Sequence, residues 1–91
     1  MPVIMENILV AIANDENQLK CGLSILEHLT FTDEHLLKLL TTVLYIMEYG
    51  SRNTCLILRK WLSHKTTNEE KIHMNKIKKW INNEVQKMLY C

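Results

Sequence analysis

Glycine occurs twice, at Gly22 and Gly50, and proline once, at Pro2, in 91 residues. With so few breakers, nothing after Pro2 interrupts a helix, so composition leans towards an all-α fold. Two isolated glycines also exclude a glycine-rich phosphate loop. The three cysteines, Cys21, Cys55 and Cys91, are odd in number and include no close pair. A disulfide framework is therefore not expected, and a reducing compartment fits better. The longest apolar run, ILVAIA at residues 8–13, is far too short to cross a membrane. The N-terminus lacks the basic region of a signal peptide and carries Glu6. No low-complexity run, Gly/Ser linker or block of like charge occurs. The chain thus reads as a single soluble, intracellular domain with one core, cut from something longer.

The charge is unevenly spread. Residues 1–50 hold two basic residues, Lys20 and Lys38, against seven acidic ones, a net of −5. Residues 51–91 hold nine basic residues against three acidic ones, a net of +6. Either the two halves attract within one bundle, or the basic half presents a face to an acidic partner.

Apolar periodicity predicts five helices. The first spans about 2–12 with Ile4, Ile8 and Ala11/Ile12 inward. Asn14 or Asp15 caps the second, about 16–29, with Leu19, Leu23, Leu26 and Leu29 inward. Gly22 costs about 1 kcal/mol against alanine in a helix, so close packing is expected there. Thr32 caps the third, about 33–48, which is apolar on most sides and therefore central. Gly50 is expected to end it in a left-handed conformation. The fourth spans about 52–62 with Cys55, Leu56, Leu58 and Leu62 inward. Thr67 and Glu70 have capping-box spacing, which starts the fifth helix at Asn68. Its inward stripe is Met74, Ile77, Ile81, Val85 and Met88, leaving Lys71, Lys78 and Lys79 outside. The expected architecture is a compact right-handed bundle of four to five helices.

Catalytic chemistry finds little support. No C-x-x-C occurs, and no two histidines stand at i, i+4. Gathering Cys55, His64 and His73 around a metal is weaker than reading them as a core thiol and two solvated imidazoles. Glu69 and Glu70 are explained by capping. No catalytic residue, metal or cofactor is assigned. Nucleic-acid binding is a fairer competitor, because eight lysines and arginines in the C-terminal half can meet phosphates. Against it, no recognition helix stands out, and dense basic faces are more often simply solvated.

The segments YGSRNTCLILRKWL (residues 49–62), NEEKI (68–72) and NKIKKW (75–80) carry a further pattern. In this order they resemble the N-terminal domain of transcription elongation factor TFIIS, which elongin A shares. Gly50, the run Leu58–Arg59–Lys60, Asn68–Glu69–Glu70, and Lys76, Ile77, Lys79 and Trp80 match. A sister resemblance is to the integrase-binding domain of LEDGF, through KCGLSILEHL at residues 20–29. Together these cover about 17–89, with 1–13 as an additional N-terminal helix. Asn75 stands where the family has alanine, and the loop between Lys60 and Asn68 is longer, with Trp61 and Leu62 inserted.

The resemblance implies a nuclear, non-catalytic scaffold in transcription elongation or chromatin. Such a domain docks short acidic–aromatic motifs of disordered partners. The residues expected at the partner site are Ala13, Asn14, Asp15, Tyr49, Gly50, Arg52, Arg59, Lys60, Lys71 and Lys78. Trp80 is expected in the core. The alternatives are a helical adaptor or oligomerisation module outside transcription, and a nucleic-acid-binding domain.

Overall fold

The computed structural model describes residues 2–89, so Met1, Tyr90 and Cys91 lie outside the described residues. Five helices follow in order: α1 (Pro2–Asn14), α2 (Glu16–Leu26), α3 (Asp33–Tyr49), α4 (Arg52–Ser63) and α5 (His73–Leu89). No strand occurs among the described residues. The chain is an all-α bundle with a radius of gyration of 12.4 Å, close to the ~12 Å of a compact domain this size. α1 lies against α2 and α3, and α5 lies against α3 and α4. The N-terminal helix is therefore part of the bundle.

The boundaries follow from local hydrogen bonding. Asp15 Oδ1 accepts from the Asn17 amide and opens α2. Thr32 opens α3 with a capping box in which His35, rather than a glutamate, reaches back to the cap. α2 stops at Leu26, earlier than expected, because the His28 and Leu29 amides turn back to the Ile25 and Leu26 carbonyls.

The expected capping box of Thr67 and Glu70 does not form. Thr66 Oγ1 accepts from the Asn68 amide, and Asn68 Oδ1 accepts from the Glu70 amide. The Asn75 side chain bonds both the amide and the carbonyl of Thr66. These local bonds satisfy the backbone without a helix, so α5 begins at His73 rather than Asn68.

The core is built from Met5, Leu9 and Ile12 of α1, Leu19, Leu23 and Leu26 of α2, and Leu39, Val43 and Ile46 of α3. Leu58 and Leu62 of α4 and Ile81 and Val85 of α5 complete it. Each such side chain is worth about 1.5–3 kcal/mol of burial. Trp80 packs partly buried against this core, as expected. In α1 the buried stripe is shifted one position from the expected one, leaving Ile4 half exposed. Leu56 and Met88, both expected inside, are exposed. α3 is less enclosed than its composition suggests, because Leu37 faces outwards. Cys21 is exposed.

Gly50 is not left-handed. Its backbone is extended, with φ −74° and ψ 159°. Glycine is needed there for space: a Cβ would sit 2.5 Å from the Ile46 carbonyl oxygen. Gly50→Ala is expected to cost about 1–2 kcal/mol, read as a shift in the denaturation midpoint. Gly50→Asn discriminates the two explanations, since a left-handed site tolerates asparagine. Here it should be no better than alanine, and a stability equal to wild type would refute the close-approach account.

Candidate interaction surfaces

The α1–α2 junction and the α3–α4 junction meet at one end of the bundle. Glu16 Oε1 accepts from Asn53 Nδ2 at 2.9 Å and from Ser51 Oγ at 3.2 Å. These bonds, that of Asn53 first, hold the Glu16 carboxyl below its ordinary value. Ala13, Asn14, Asp15, Tyr49, Gly50 and Arg52 are thereby gathered at this end. Two of them have structural roles: Asn14 Nδ2 donates to the Val10 carbonyl, and Asp15 caps α2. Tyr49 is 68% exposed, its ring centroid 4.9 Å from that of Tyr45. At this junction the carboxylates of Asp15 and Glu16 are already engaged within the chain.

The outer face of α4 differs. Arg52, Leu56, Arg59, Lys60 and Ser63 recur at helical spacing and are all exposed. Arg52, Arg59 and Lys60 make no ion pair among the described residues. Leu56, in the middle of them, is 53% exposed. Sequence reasoning placed Leu56 inside because Cys55, Leu56 and Leu58 form a nearly continuous apolar run. Only the α4 register separates Leu56 from buried Leu58 and Leu62.

Lys71 and Lys78 do not belong to this surface. Lys71 lies in the turn before α5, and Lys78 is buried at 2% exposure. Both converge on Glu27, which ends α2 at the other end of that helix. Lys78 Nζ is 2.9 Å from Glu27 Oε1 and 3.2 Å from the His64 carbonyl. It also stands 4.7 Å from the Trp61 ring centroid. Lys71 reaches Glu27 Oε2 at 3.7 Å. The His64 carbonyl closes the C-terminus of α4, where the helix dipole favours a cation. The expectation of two solvated lysines is corrected. Lys78 occupies the buried register of Met74, Ile81 and Val85, and its charge is matched from within.

A groove of about 710 Å³ runs between α1 and α3. Leu9, Ala13 and Thr41 are among its lining residues, together with the exposed Val10, Leu37 and Tyr45. At one end Lys38 pairs with Glu6 across the groove and with Glu34 one turn away on α3. The hydrogen bond from Lys38, and then its charge, hold the Glu6 carboxyl below its ordinary value. The bond to Glu6 most strongly raises that of Lys38. Of these three exposed apolar residues, Leu37 belongs to the helix expected to be enclosed on most sides, whereas Val10 stands outside the inward stripe expected for the first helix.

Cys55, His64 and His73 are not brought together. Cys55 Sγ points to the Ile46 carbonyl, His64 caps α4, and His73 Nε2 contacts the Leu29 carbonyl. Among the described residues no group of three or more His, Cys, Asp or Glu side chains could hold a metal ion. No helix among them is long and apolar enough to cross a membrane. Compared with known proteins, the chain matches no family model, no curated protein and no solved structure.

Proposed function

We propose that the chain is a non-catalytic docking module that receives an acidic–aromatic segment of a disordered partner on the outer face of α4. The observation that carries this is the stripe Arg52, Leu56, Arg59 and Lys60. It sets one exposed apolar side chain among three cations that make no ion pair among the described residues. The aromatic residue lies over Leu56, with Tyr49 exposed just before the helix, and acidic residues meet Arg52 on one side and Arg59/Lys60 on the other. Long-range charge attraction speeds encounter and sets orientation, while the apolar contact slows release. Ordering a disordered ligand on so open a surface implies micromolar affinity. A setting in transcription elongation or chromatin, and in the nucleus, rests on the resemblance alone.

An amide NMR titration tests this with a peptide carrying one Phe flanked by Asp and Glu. Shifts are expected along 49–63, with affinity falling as salt rises. Arg59→Glu/Lys60→Glu should weaken binding by about tenfold or more, equivalent to about 1.4 kcal/mol or more, without unfolding the protein. A peptide that leaves 49–63 unmoved, or binds the reversed variant as tightly, would sink the reading. Steeply salt-dependent binding of oligonucleotide on the same stripe, with none of peptide, would favour nucleic acid instead.

A further inference from the structure

The α1/α3 groove has its own chemistry, opposite in sign to the α4 stripe. Its walls are two helices whose backbone groups are already engaged. The Thr41 and Thr42 hydroxyls fold back on the Leu37 and Lys38 carbonyls. An extended peptide laid there would find no backbone partners for its own amides and carbonyls. A helix, whose backbone is satisfied internally, can lie against such walls without needing partners from them. The length suits one: from Glu6 to Asn14 along α1 is about 12 Å, a little over two helical turns. Val10, Leu37 and Tyr45 are all more than 40% exposed and line this groove. They offer an apolar bed for one stripe of an amphipathic helix.

Charge selects the kind of helix. Two carboxylates, Glu6 and Glu34, line the groove against one lysine, Lys38. That lysine is shared between Glu6 and Glu34, so the rim keeps a surplus of carboxylate. We infer that the α1/α3 groove is a second docking surface, and that it takes an amphipathic helix whose apolar stripe is flanked by lysine or arginine. The inference does not depend on the α4 reading. The two surfaces would let the module bridge an acidic partner and a basic one.

The probe is a synthetic helix-forming peptide of roughly 14 residues, long enough to hold helix on binding. It carries leucines along one stripe and lysines beside them. Amide shifts are expected in α1 and α3. Val10→Gln and Leu37→Gln alter exposed side chains and should each weaken binding by about tenfold. Glu34→Lys should weaken it and flatten its salt dependence. Arg59→Glu/Lys60→Glu should leave it unchanged, which separates failure here from failure of the α4 reading. The same peptide with glutamates in place of lysines should not bind. Equal binding of the glutamate peptide, or full affinity in Leu37→Gln and Val10→Gln, overturns the inference. So does an absence of shifts in α1 and α3. Sedimentation showing a dimer that Val10→Gln dissolves also overturns it, because a second copy would then fill the groove.

Discussion

Replacing Glu27 by leucine is expected to destabilise the fold by about 3–5 kcal/mol, the cost of leaving a buried charge without its partner. Lys78 is 2% exposed, and without Glu27 its ammonium keeps only the His64 carbonyl and the Trp61 ring. The reverse change is milder. Lys78→Met leaves Glu27 with 12% side-chain exposure and with Lys71 at 3.7 Å, so a loss of about 1–2 kcal/mol is expected. Removing both charges in Glu27→Leu/Lys78→Met should recover most of the stability, because a well-packed apolar pair often matches a buried ion pair. Urea denaturation of the four proteins measures this directly, and the double-mutant cycle isolates the coupling. Additive losses, or a Glu27→Leu loss below about 1 kcal/mol, would show that water reaches Lys78 and the pair is not a lock.

The same lock has a pH signature. Burial pushes the Glu27 carboxyl up. The hydrogen bond and charge of Lys78, the charge of Lys71 and a smaller effect of the Trp61 indole outweigh burial, and the carboxyl sits below its ordinary value of 4.5. Trp61 Nε1 is buried without a hydrogen bond, so its share is that of a nearby dipole rather than a bond. Folded Glu27 therefore binds protons less readily than unfolded Glu27. Its contribution is complete above the ordinary carboxylate range and is lost as pH falls through the depressed folded value. Glu27→Gln should accordingly trail wild type at neutral pH and approach it below about pH 4. A stability gap that stays constant across that range would assign the Glu27 effect to packing instead of charge.

The helical pattern is local in the sequence, whereas the long-range pairs are not. The five helices were legible because Leu19, Leu23 and Leu26, or Met74, Ile81 and Val85, repeat with helical period and no proline intervenes. The starts of α2 and α3 were legible because Asp15 and Thr32 are short polar residues ahead of apolar runs. The start of α5 was not. Thr67 and Glu70 have the right spacing, but Thr66 and Asn68 compete for the same amides, and the winning bonds depend on Asn75 in α5 itself. Lys78 was readable in part. It stands four residues after Met74 and three before Ile81, squarely in the buried register. Its partner Glu27 lies fifty-one residues upstream, and no local pattern announces such a pairing. The gathering of Asn14–Glu16 with Tyr49–Asn53 was implied by the resemblance, whereas exposed Leu37 and Leu56 could not be told from core leucines without the helix register.

The second large effect concerns Gly22, where α1 and α2 cross. A Cβ built there lies 2.2 Å from Ile12 Cγ2, and Ile12 is 1% exposed. Isoleucine in a helix has essentially one comfortable χ1, so its methyl group cannot swing aside cheaply. Alanine gains about 1 kcal/mol in helix propensity over glycine. The overpacking cost of about 1–3 kcal/mol opposes this gain, and Gly22→Ala should lose about 1 kcal/mol net. Gly22→Leu must fit a whole side chain where a single methyl already collides, and a loss of about 3 kcal/mol or more is expected. The damage should be directional. α1 is one wall of the groove and holds Glu6 opposite Lys38, so forcing it outwards separates that pair and moves Val10 away from Leu37. Amide shifts should therefore concentrate in α1 and the facing half of α3 while α4 and α5 stay in place. Ile12→Ala removes the colliding methyl, so Gly22→Ala should cost less in that background than in wild type. A Gly22→Leu protein with an unchanged midpoint and unmoved α1 amides would mean that this crossing does not set the position of α1.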